Sequence, residues 1–252
     1  MNKLLATLML VASTTFANAT DIRMMTENYP PYNMEVNGKL TGLSIEVLEA
    51  MLKQMESKQD IHDIELLSWD NAYSSTLEEK NSMVFATTRT KSREKLFKWV
   101  GPISKTTIGI TALKMNNIKI NNISDLKKYR IGTIKNDIGE TILINKNILE
   151  SNKGVLKNSK YSLNGTNSLV NSINDLERNK IDLFAYETKV ARYSTDLNGY
   201  DSTEYEVVYI LENNELYFAF NRLTPNSTIT KWQQALDTIK SNGIYQKIIK
   251  KY

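Results

Sequence analysis

Cysteine and histidine are the residue types that this chain of 252 residues lacks or nearly lacks: there is no Cys, and His62 is the only His. Without cysteine there can be no disulfide, no thiol nucleophile and no thiolate metal site. A Ser-His-Asp triad or a histidine-rich metal site would depend on His62 alone. That residue lies in the polar segment 59–63, which we interpret as a loop. Carboxylate-based catalysis is the enzyme chemistry that stays open.

Proline and glycine are also scarce, at 4 and 10 residues, whereas hydrophobic residues make up 41% of the chain. This composition is typical of a folded protein without low-complexity segments. The net charge of +4 comes from 32 basic and 28 acidic residues. The densest basic runs, at 127–130 and 247–251, are typical of solvated helix faces or ends. We therefore expect no nucleic-acid partner.

Residues 1–19 have the pattern of a secretory signal peptide. An apolar run at 4–11 follows Lys3, and Ala17-Asn18-Ala19 forms an A-x-A cleavage site. The run is far shorter than the roughly 20 apolar residues that a membrane-spanning helix needs. No Cys follows the cleavage site to accept a lipid. We therefore expect a mature chain that starts at residue 20, is soluble and lies in the periplasm without a lipid anchor.

Strand and helix signals alternate along the chain, which is typical of βαβ units and largely parallel sheets. Strands are predicted near 21–25, 64–68, 82–86, 108–113, 130–134 and 181–185. Apolar spacing predicts helices from residue 44 to about 55, over 70–79 and 168–178, and from about 227 to Gly243. Two further β-rich runs, 207–211 and 216–220, are separated by polar residues. Because no linker separates the predicted units, we expect the chain to cross between two lobes as extended strands beside a ligand-binding cleft.

A series of segments matches, in order, the landmarks of one family. The segments are 26–32 (TENYPPY), 38–47 (GKLTGLSIEV), 90–93 (TKSR), 97–102 (FKWVGP), 126–132, 180–185 and 243–248. Nearly the whole mature chain resembles the periplasmic polar amino-acid-binding proteins of ABC uptake systems, which are bacterial extracellular solute-binding proteins of family 3. The resemblance implies the type II periplasmic binding protein fold, an α/β fold in two lobes. Each lobe is a mostly parallel sheet flanked by helices, and two strands form the hinge.

The resemblance also implies how the chain is divided and what it does. Lobe I comprises 20–110 and 213–252, and lobe II is the inserted segment 111–212. The protein is expected to be a monomer without cofactor or metal. It captures a small amino-acid-like ligand between closing lobes for delivery to a membrane ABC permease. Two alternatives stay open: a protein of the same fold that serves a sensor, and a periplasmic lyase similar to cyclohexadienyl dehydratase, with Glu187 and Asp137 as an acid–base pair.

Polar site residues are carried over from the family position by position. Arg93 falls where a guanidinium binds the ligand carboxylate through two hydrogen bonds, the alternative being an ordinary surface charge. Thr87 and Thr88 fall where the family offers hydroxyl and backbone groups to the ligand, or they are turn and capping hydroxyls. Glu187 occupies the position of an Asp that pairs with the ligand ammonium, or it is a surface carboxylate.

Aromatic residues are carried over in the same way. Tyr29 and Trp69 match positions whose rings sandwich the ligand side chain in the family, the alternative being structural aromatics at a sheet edge. Tyr186 is expected to line the cleft beside the acidic residue that follows it. Trp99 and Tyr73 are interpreted as packing residues.

The main departure from the family is Asp137, in segment 136–139. Family members have a turn rich in Gly, Ser or Thr there, where a helix N-terminus receives the ligand carboxylate. Asp137 would place a negative charge beside that position. It either caps its own helix and points away, or it faces the cleft and favours a ligand with a second positive charge.

Overall fold

The computed structural model describes residues 21–134, 137–149, 151–152, 155–156, 162–163 and 168–252. The predicted signal peptide, 1–19, lies outside these residues. Among the helices of the described ranges, none has both the length and the apolar content of a membrane-spanning segment.

The first part of the chain folds into short strands and two helices. Its elements are β1 (Arg23–Thr26), β2 (Met34–Val36), β3 (Lys39–Thr41), α1 (Leu43–Gln54), β4 (Ile64–Leu66), α2 (Trp69–Glu78) and β5 (Ser82–Thr88). Helix α1 buries Ile45, Leu48 and Leu52, as the apolar spacing predicts. Helix α2 begins after Ser68, whose side chain accepts a hydrogen bond from the backbone N of Asn71.

The rest of the chain adds two long strands and further alternating elements. These are β6 (Phe97–Leu113), β7 (Ile131–Ile134), α3 (Ile138–Asn145), β8 (Ser151–Asn152), β9 (Val155–Leu156), β10 (Ser162–Leu163), α4 (Ser168–Glu177), β11 (Leu183–Glu187), α5 (Thr188–Leu197), β12 (Tyr205–Asn221), α6 (Asn226–Ser241) and α7 (Ile244–Ile249). Gly243, at a φ of 83°, separates the last two helices, a conformation that glycine adopts without strain.

Eight strands are hydrogen-bonded in the order β10-β7-β11-β6-β12-β5-β1-β4. Strand β1 runs parallel to β4 and β5, and β7 runs parallel to β10 and β11. Strands β6 and β12 are antiparallel to each other and to the strands on either side. Two groups of parallel strands are therefore joined through one antiparallel pair. The predicted α/β fold with extended crossing strands is confirmed.

The crossing strands β6 and β12 are each 17 residues long. The sequence separated 207–211 from 216–220, but the structure corrects this to one strand, because polar residues such as Asn213 stay in the ladder opposite Thr107. Backbone hydrogen bonds hold this ladder and do not require apolar side chains. Register shifts interrupt it between Ile210 and Glu212 and between Leu216 and Phe218. The lobe boundaries at 110/111 and 212/213 fall within these strands and remain a prediction.

The buried side chains form clusters on both sides of the crossing pair. The larger one packs α1 and α6 against the β1–β5 group, with Met24, Leu48 and Phe218 among its members, and it extends to α4 and β11 through Ile173 and Phe184. A second cluster surrounds β7 and β11 and includes Ile110, Leu126, Ile131, Leu143 and Leu183. Polar side chains lie at the carboxyl ends of the parallel strands. In α/β sheets this is the place where ligands commonly bind.

His62 lies away from these carboxyl ends. It belongs to a short 3-10 helix, Ile61–Asp63, that leads into the amino end of β4. Since β4 is parallel to β1, His62 lies at the amino ends of these strands, opposite to the carboxyl end of β1.

Candidate functional site

Arg93 is held in the loop that follows the carboxyl end of β5. Its backbone N donates to the backbone O of Thr90 at 3.1 Å and to the hydroxyl of the same residue at 3.2 Å. Its Nη1 donates to the backbone O of Thr88 at 3.3 Å. Only 6% of the residue is exposed. A buried guanidinium is therefore fixed in place at the end of the strand.

Two aromatic rings contact this guanidinium. Its Cζ lies 5.1 Å from the ring centroid of Trp69 and 5.3 Å from that of Tyr73. Trp69 is the first residue of α2, and Tyr73 follows one turn later on the same face. Arg93 lowers the pKa of Tyr73, although burial has the larger effect and raises it. Tyr73, interpreted from the sequence as a packing residue, is thus part of the surroundings of Arg93.

Thr87 and Thr88 end strand β5 and are almost fully buried, at 0% and 4% exposed. The hydroxyl of Thr87 donates to the backbone O of Val84 at 3.3 Å, so it is used within its own strand. The backbone O of Thr88 accepts the hydrogen bond from Arg93. The end of β5 therefore holds the guanidinium in place through a backbone carbonyl.

Three buried tyrosines connect the two groups of parallel strands. Tyr29 and Tyr32 follow β1, and their rings are stacked with centroids 5.5 Å apart. Tyr186 lies in β11, and its ring meets that of Tyr29 edge-on at 5.8 Å. Each of the three is at most 4% exposed. The sequence assigned no role to Tyr32, although that residue lies in the segment that carries the resemblance.

Glu187 ends β11 and caps helix α5. Its Oε2 accepts a hydrogen bond from the backbone N of Val190 at 2.7 Å. Its Oε1 accepts from the backbone N of Thr107 at 3.3 Å and from the hydroxyl of Tyr32 at 3.4 Å. Burial raises the pKa of this carboxyl, whereas the hydrogen bonds from backbone N–H groups lower it. The side chain, expected beside the ligand ammonium, thus also ties β11, β6 and the segment after β1 together.

Asp137 caps helix α3 and is 7% exposed. Its Oδ1 accepts from the backbone N of Gly139 at 3.0 Å. Burial raises the pKa of the carboxyl, while this hydrogen bond and the positive charge of Arg93 lower it. The predicted cap is present, and the same carboxylate lies within electrostatic range of the guanidinium. Its neighbour Asn136 lies outside the described residues.

Glu27 is a member of the site to which the sequence assigned no role. It directly follows β1 and is partly buried. Burial and the negative charge of Asp137 raise its pKa to about 8, although Arg93 acts in the opposite direction. Its position in the sequence could have indicated this, because Glu27 is an acidic residue directly after a predicted parallel strand and lies within segment 26–32.

The site combines three carboxyl groups, those of Glu27, Asp137 and Glu187, with the single guanidinium of Arg93. Within the described ranges, no three His, Asp or Glu side chains are arranged to hold a metal ion. The arrangement offers hydrogen-bond donors to one carboxylate and negative charge to cationic groups. The carboxyl of Glu27, whose pKa is about 8, can also hold or release a proton near neutral pH.

Solved structures share the overall fold of this chain. An ancestral arginine-binding protein bound to glutamine aligns with a TM-score of 0.74 and 20% identity, covering 92% of this chain and 97% of that chain. A histidine kinase sensor domain with similarity to periplasmic binding proteins aligns with a TM-score of 0.77 and 15% identity, covering 92% and 96%. The arginine-, lysine-, histidine-binding protein ArtJ from Geobacillus stearothermophilus aligns with a TM-score of 0.74 and 18% identity, covering 92% and 94%.

At these identities the structural likeness shows the fold alone, and it confirms the predicted type II arrangement in two lobes. No curated protein matches the chain by sequence. The sequence profile of the bacterial extracellular solute-binding proteins, family 3, matches residues 22–252. That match covers every described residue except Asp21.

Proposed function

Because the chain belongs to family 3 of the bacterial extracellular solute-binding proteins, we propose that it is a periplasmic amino-acid-binding protein that delivers its ligand to an ABC permease. In this proposal the signal peptide 1–19 is removed on export. Lobe I consists of 20–110 and 213–252, and lobe II of 111–212. The monomer binds the ligand between the lobes and needs no cofactor.

The observation that carries the proposal is the buried guanidinium of Arg93 beside the end of β5. A ligand carboxylate suits a guanidinium because two parallel N–H groups can bind its two oxygens. Burial between Trp69 and Tyr73 excludes water, which strengthens such a charge-assisted pair. An amino acid brings both this carboxylate and an ammonium, and each needs a partner when it leaves water.

The ammonium of the ligand binds near Glu187 and Thr88 in this proposal. The backbone N–H groups of Val190, Thr107 and Lys189 and the hydroxyl of Tyr32 already donate to Glu187. An ammonium nearby would add a positive charge beside this buried carboxyl, which favours its charged form. The aliphatic part of the ligand packs against the rings of Tyr29 and Tyr186, which are buried where the two groups of strands meet.

A thermal-shift screen of the exported protein against the common amino acids, polyamines and small organic acids tests the proposal. A ligand that binds only the folded protein adds about 2.7 kcal/mol to the free energy of unfolding when it is present at 100 times its Kd. For a chain of this size the Tm should rise by roughly 5–10 °C. A hit with an amino acid supports the proposal. A panel without any hit contradicts it.

A periplasmic lyase is the second candidate, and the carboxyl of Glu27 is the observation that favours it. A pKa of about 8 keeps this group protonated at neutral pH, as a general acid requires. Incubation with prephenate or arogenate, followed by NMR, separates the two functions. A binding protein returns the compound unchanged, whereas an elimination enzyme converts it.

A further inference from the structure

We infer that a second ligand site, for a small anion with two or more carboxylate or phosphate groups, lies between helix α5 and the crossing strands β6 and β12. The site is a cavity of about 440 Å³, within the range usual for small-molecule sites. It is separate from the candidate site described above, because its lining residues belong to the segments 111–114, 188–195 and 202–207. The inference therefore goes beyond the proposed function and does not depend on it.

Two neighbouring strands and one helix enclose this cavity. Thr111 of β6 is paired with Val207 of β12 in the ladder, and both line the cavity. Helix α5 contributes Thr188 and Thr195, which lie on one helix face because two helical turns separate them. A Cβ atom placed on Gly109 would lie 2.8 Å from the side chains of both Thr188 and Val207, so α5 packs closely against the strands at its first turn. The floor and one wall of the cavity are therefore formed by regular secondary structure.

The hydroxyl of Thr111 is a buried polar group that opens onto the cavity. Thr111 is 5% exposed, and no residue of the described ranges forms a hydrogen bond with its hydroxyl. Two other buried hydroxyls of the lining have acceptors within the protein. That of Thr195 donates to the backbone O of Ala191 at 2.9 Å, and that of Ser202 to Oδ2 of Asp196 at 2.9 Å. Because a buried hydroxyl without a partner is unfavourable, an oxygen of a bound ligand would satisfy the one that remains.

The charged side chains of the lining are mostly cationic. They are Lys114, Lys189 and Arg192, against the single carboxylate of Glu206 among the described residues that line the cavity. Lys189 and Arg192 are one turn apart on α5 and therefore neighbours on its surface. Neither takes part in an ion pair within the described part of the chain. The cavity thus has positive charge that an anionic ligand would compensate.

Lys114 differs from the other two cations because a carboxylate lies near it. Hydrogen bonds from Thr203 lower the pKa of the Asp201 carboxyl, and the positive charge of Lys114 lowers it further. Lys189 and Arg192 are therefore the main cations available to a ligand. A guanidinium binds a carboxylate or a phosphate through two parallel N–H groups, whereas an ammonium acts as a point charge. A ligand with one anionic group on Arg192 and a second near Lys189 uses both.

Isothermal titration calorimetry with citrate and with inorganic phosphate tests the inference. The titrations use the protein without any amino acid, and the ionic strength is kept constant because salt screens such charges. The wild-type protein should bind at least one of the two probes saturably, with one anion per chain. The probe that binds more tightly identifies the anionic group that the cavity takes.

Variants of the cavity should weaken this binding. Arg192→Gln and Lys189→Gln should each lower the affinity roughly fivefold or more, because each removes a charge-assisted contact. Thr111→Val keeps the shape of the side chain without its hydroxyl and should lower the affinity roughly threefold. Lys127→Gln, which removes an exposed cation elsewhere on the surface, is the matched control and should bind as wild type.

The variant Arg93→Ala separates this cavity from the candidate site, since the guanidinium of Arg93 can also bind a carboxylate. Anion affinity should be unchanged in Arg93→Ala. The inference is wrong if neither probe binds saturably, or if Lys127→Gln weakens binding as much as Arg192→Gln. It is also wrong if Arg93→Ala abolishes anion binding while Arg192→Gln leaves it intact. The proposed function stands in each of these cases, because it is tested by the response to amino acids.

Discussion

The two sides of the candidate site hold their charges in different ways. Arg93 lies against two aromatic rings, and a main-chain carbonyl accepts one of its hydrogen bonds. Asp137 and Glu187, on the other side, are the caps of α3 and α5. The guanidinium is therefore not needed to begin a helix, whereas Glu187 combines capping with the proposed binding of the ligand ammonium. Substitutions should separate binding from stability on the first side and combine them on the second.

Replacing Arg93 should have the largest effect on binding. In Arg93→Ala the ligand carboxylate loses a charge-assisted pair, and truncating one partner of such a buried pair costs about 2–5 kcal/mol. Affinity for any amino-acid ligand should therefore fall by roughly 30-fold or more, as measured by calorimetry. Circular dichroism should show the same secondary structure as in the wild type.

The control for this variant is Arg89→Ala. Arg89 lies four residues earlier and pairs with Glu94 at 2.6 Å on the surface. Its removal should leave the affinity almost unchanged. Undiminished affinity in Arg93→Ala would remove the assignment of the ligand carboxylate to this residue.

Replacing Glu187 should affect stability as well as binding. Glu187→Ala removes the cap of α5 and leaves the backbone N of Thr107 without its acceptor. Loss of a helix cap costs about 0.5–2 kcal/mol, and an unsatisfied buried donor about 1–3 kcal/mol. Urea unfolding should show a loss in this range.

The variant Glu187→Gln separates the two tasks. It keeps a carbonyl oxygen for capping but has no charge for a ligand ammonium. Its NH2 group cannot accept from the backbone N of Thr107, so we expect a smaller loss of stability than in Glu187→Ala together with weaker ligand binding. Equal destabilisation by Gln and Ala would mean that the charge itself, rather than the capping oxygen, stabilises the fold.

The pH dependence of stability should report on the carboxyl groups whose pKa is raised. The pKa of Glu27 is about 8 in the folded protein, above its ordinary value of 4.5. Between these two values the folded state binds more protons than the unfolded state, so the free energy of unfolding should fall as pH rises. Asp137 and Glu187, whose pKa values are also raised, act in the same direction. Urea unfolding of the ligand-free protein at pH 5.5 and pH 8 measures this.

The variant Glu27→Gln should reduce the pH dependence, because it removes the group that titrates. Glu35→Gln, which changes an exposed carboxyl on β2, is the control and should leave the pH dependence unchanged. A ligand-free wild-type protein that is equally stable at pH 5.5 and pH 8 would rule out the protonated state of Glu27.

The smallest effect should come from Tyr32→Phe. This change removes only the hydroxyl that donates to Glu187 at 3.4 Å and keeps the ring stacked on Tyr29. A single hydrogen bond contributes about 0.5–1.5 kcal/mol, and one of this length lies at the low end. In a protein that already carries Glu187→Gln, Tyr32→Phe should change the free energy of unfolding by less. A double-mutant cycle measures this difference. Fully additive effects would show that the two groups do not interact.

The fold and part of the site could be predicted from the sequence because their signals are local. Alternating strand and helix patterns indicated the α/β class, and the resemblance of segment 90–93 to the family indicated Arg93 as a candidate site residue. Tyr73 could have been added, since it is one helical turn from Trp69. Helix α5 was not predicted, because its buried face includes Ala191, Ser194 and Thr195 rather than an apolar stripe.

Glu27 could not be assigned from the sequence because its properties depend on distant residues. Its pKa responds to Asp137 and Arg93, which belong to other elements of the fold. The spacing of residues along the chain does not show which acidic residues lie close together in the folded protein. The continuity of β12 was missed for a related reason, since its polar stretch is held by pairing with β6 rather than by its own side chains.

The ladder between β6 and β12 has a consequence for the proposed capture of a ligand. Its central pairs, such as Lys105 opposite Glu215, lie between two register shifts. A strand bends at such an irregularity. In the proposed function, closure of the lobes would change these bends while the central pairs keep their main-chain hydrogen bonds. The equilibrium between open and closed forms would then depend on the charged and aromatic side chains of the candidate site.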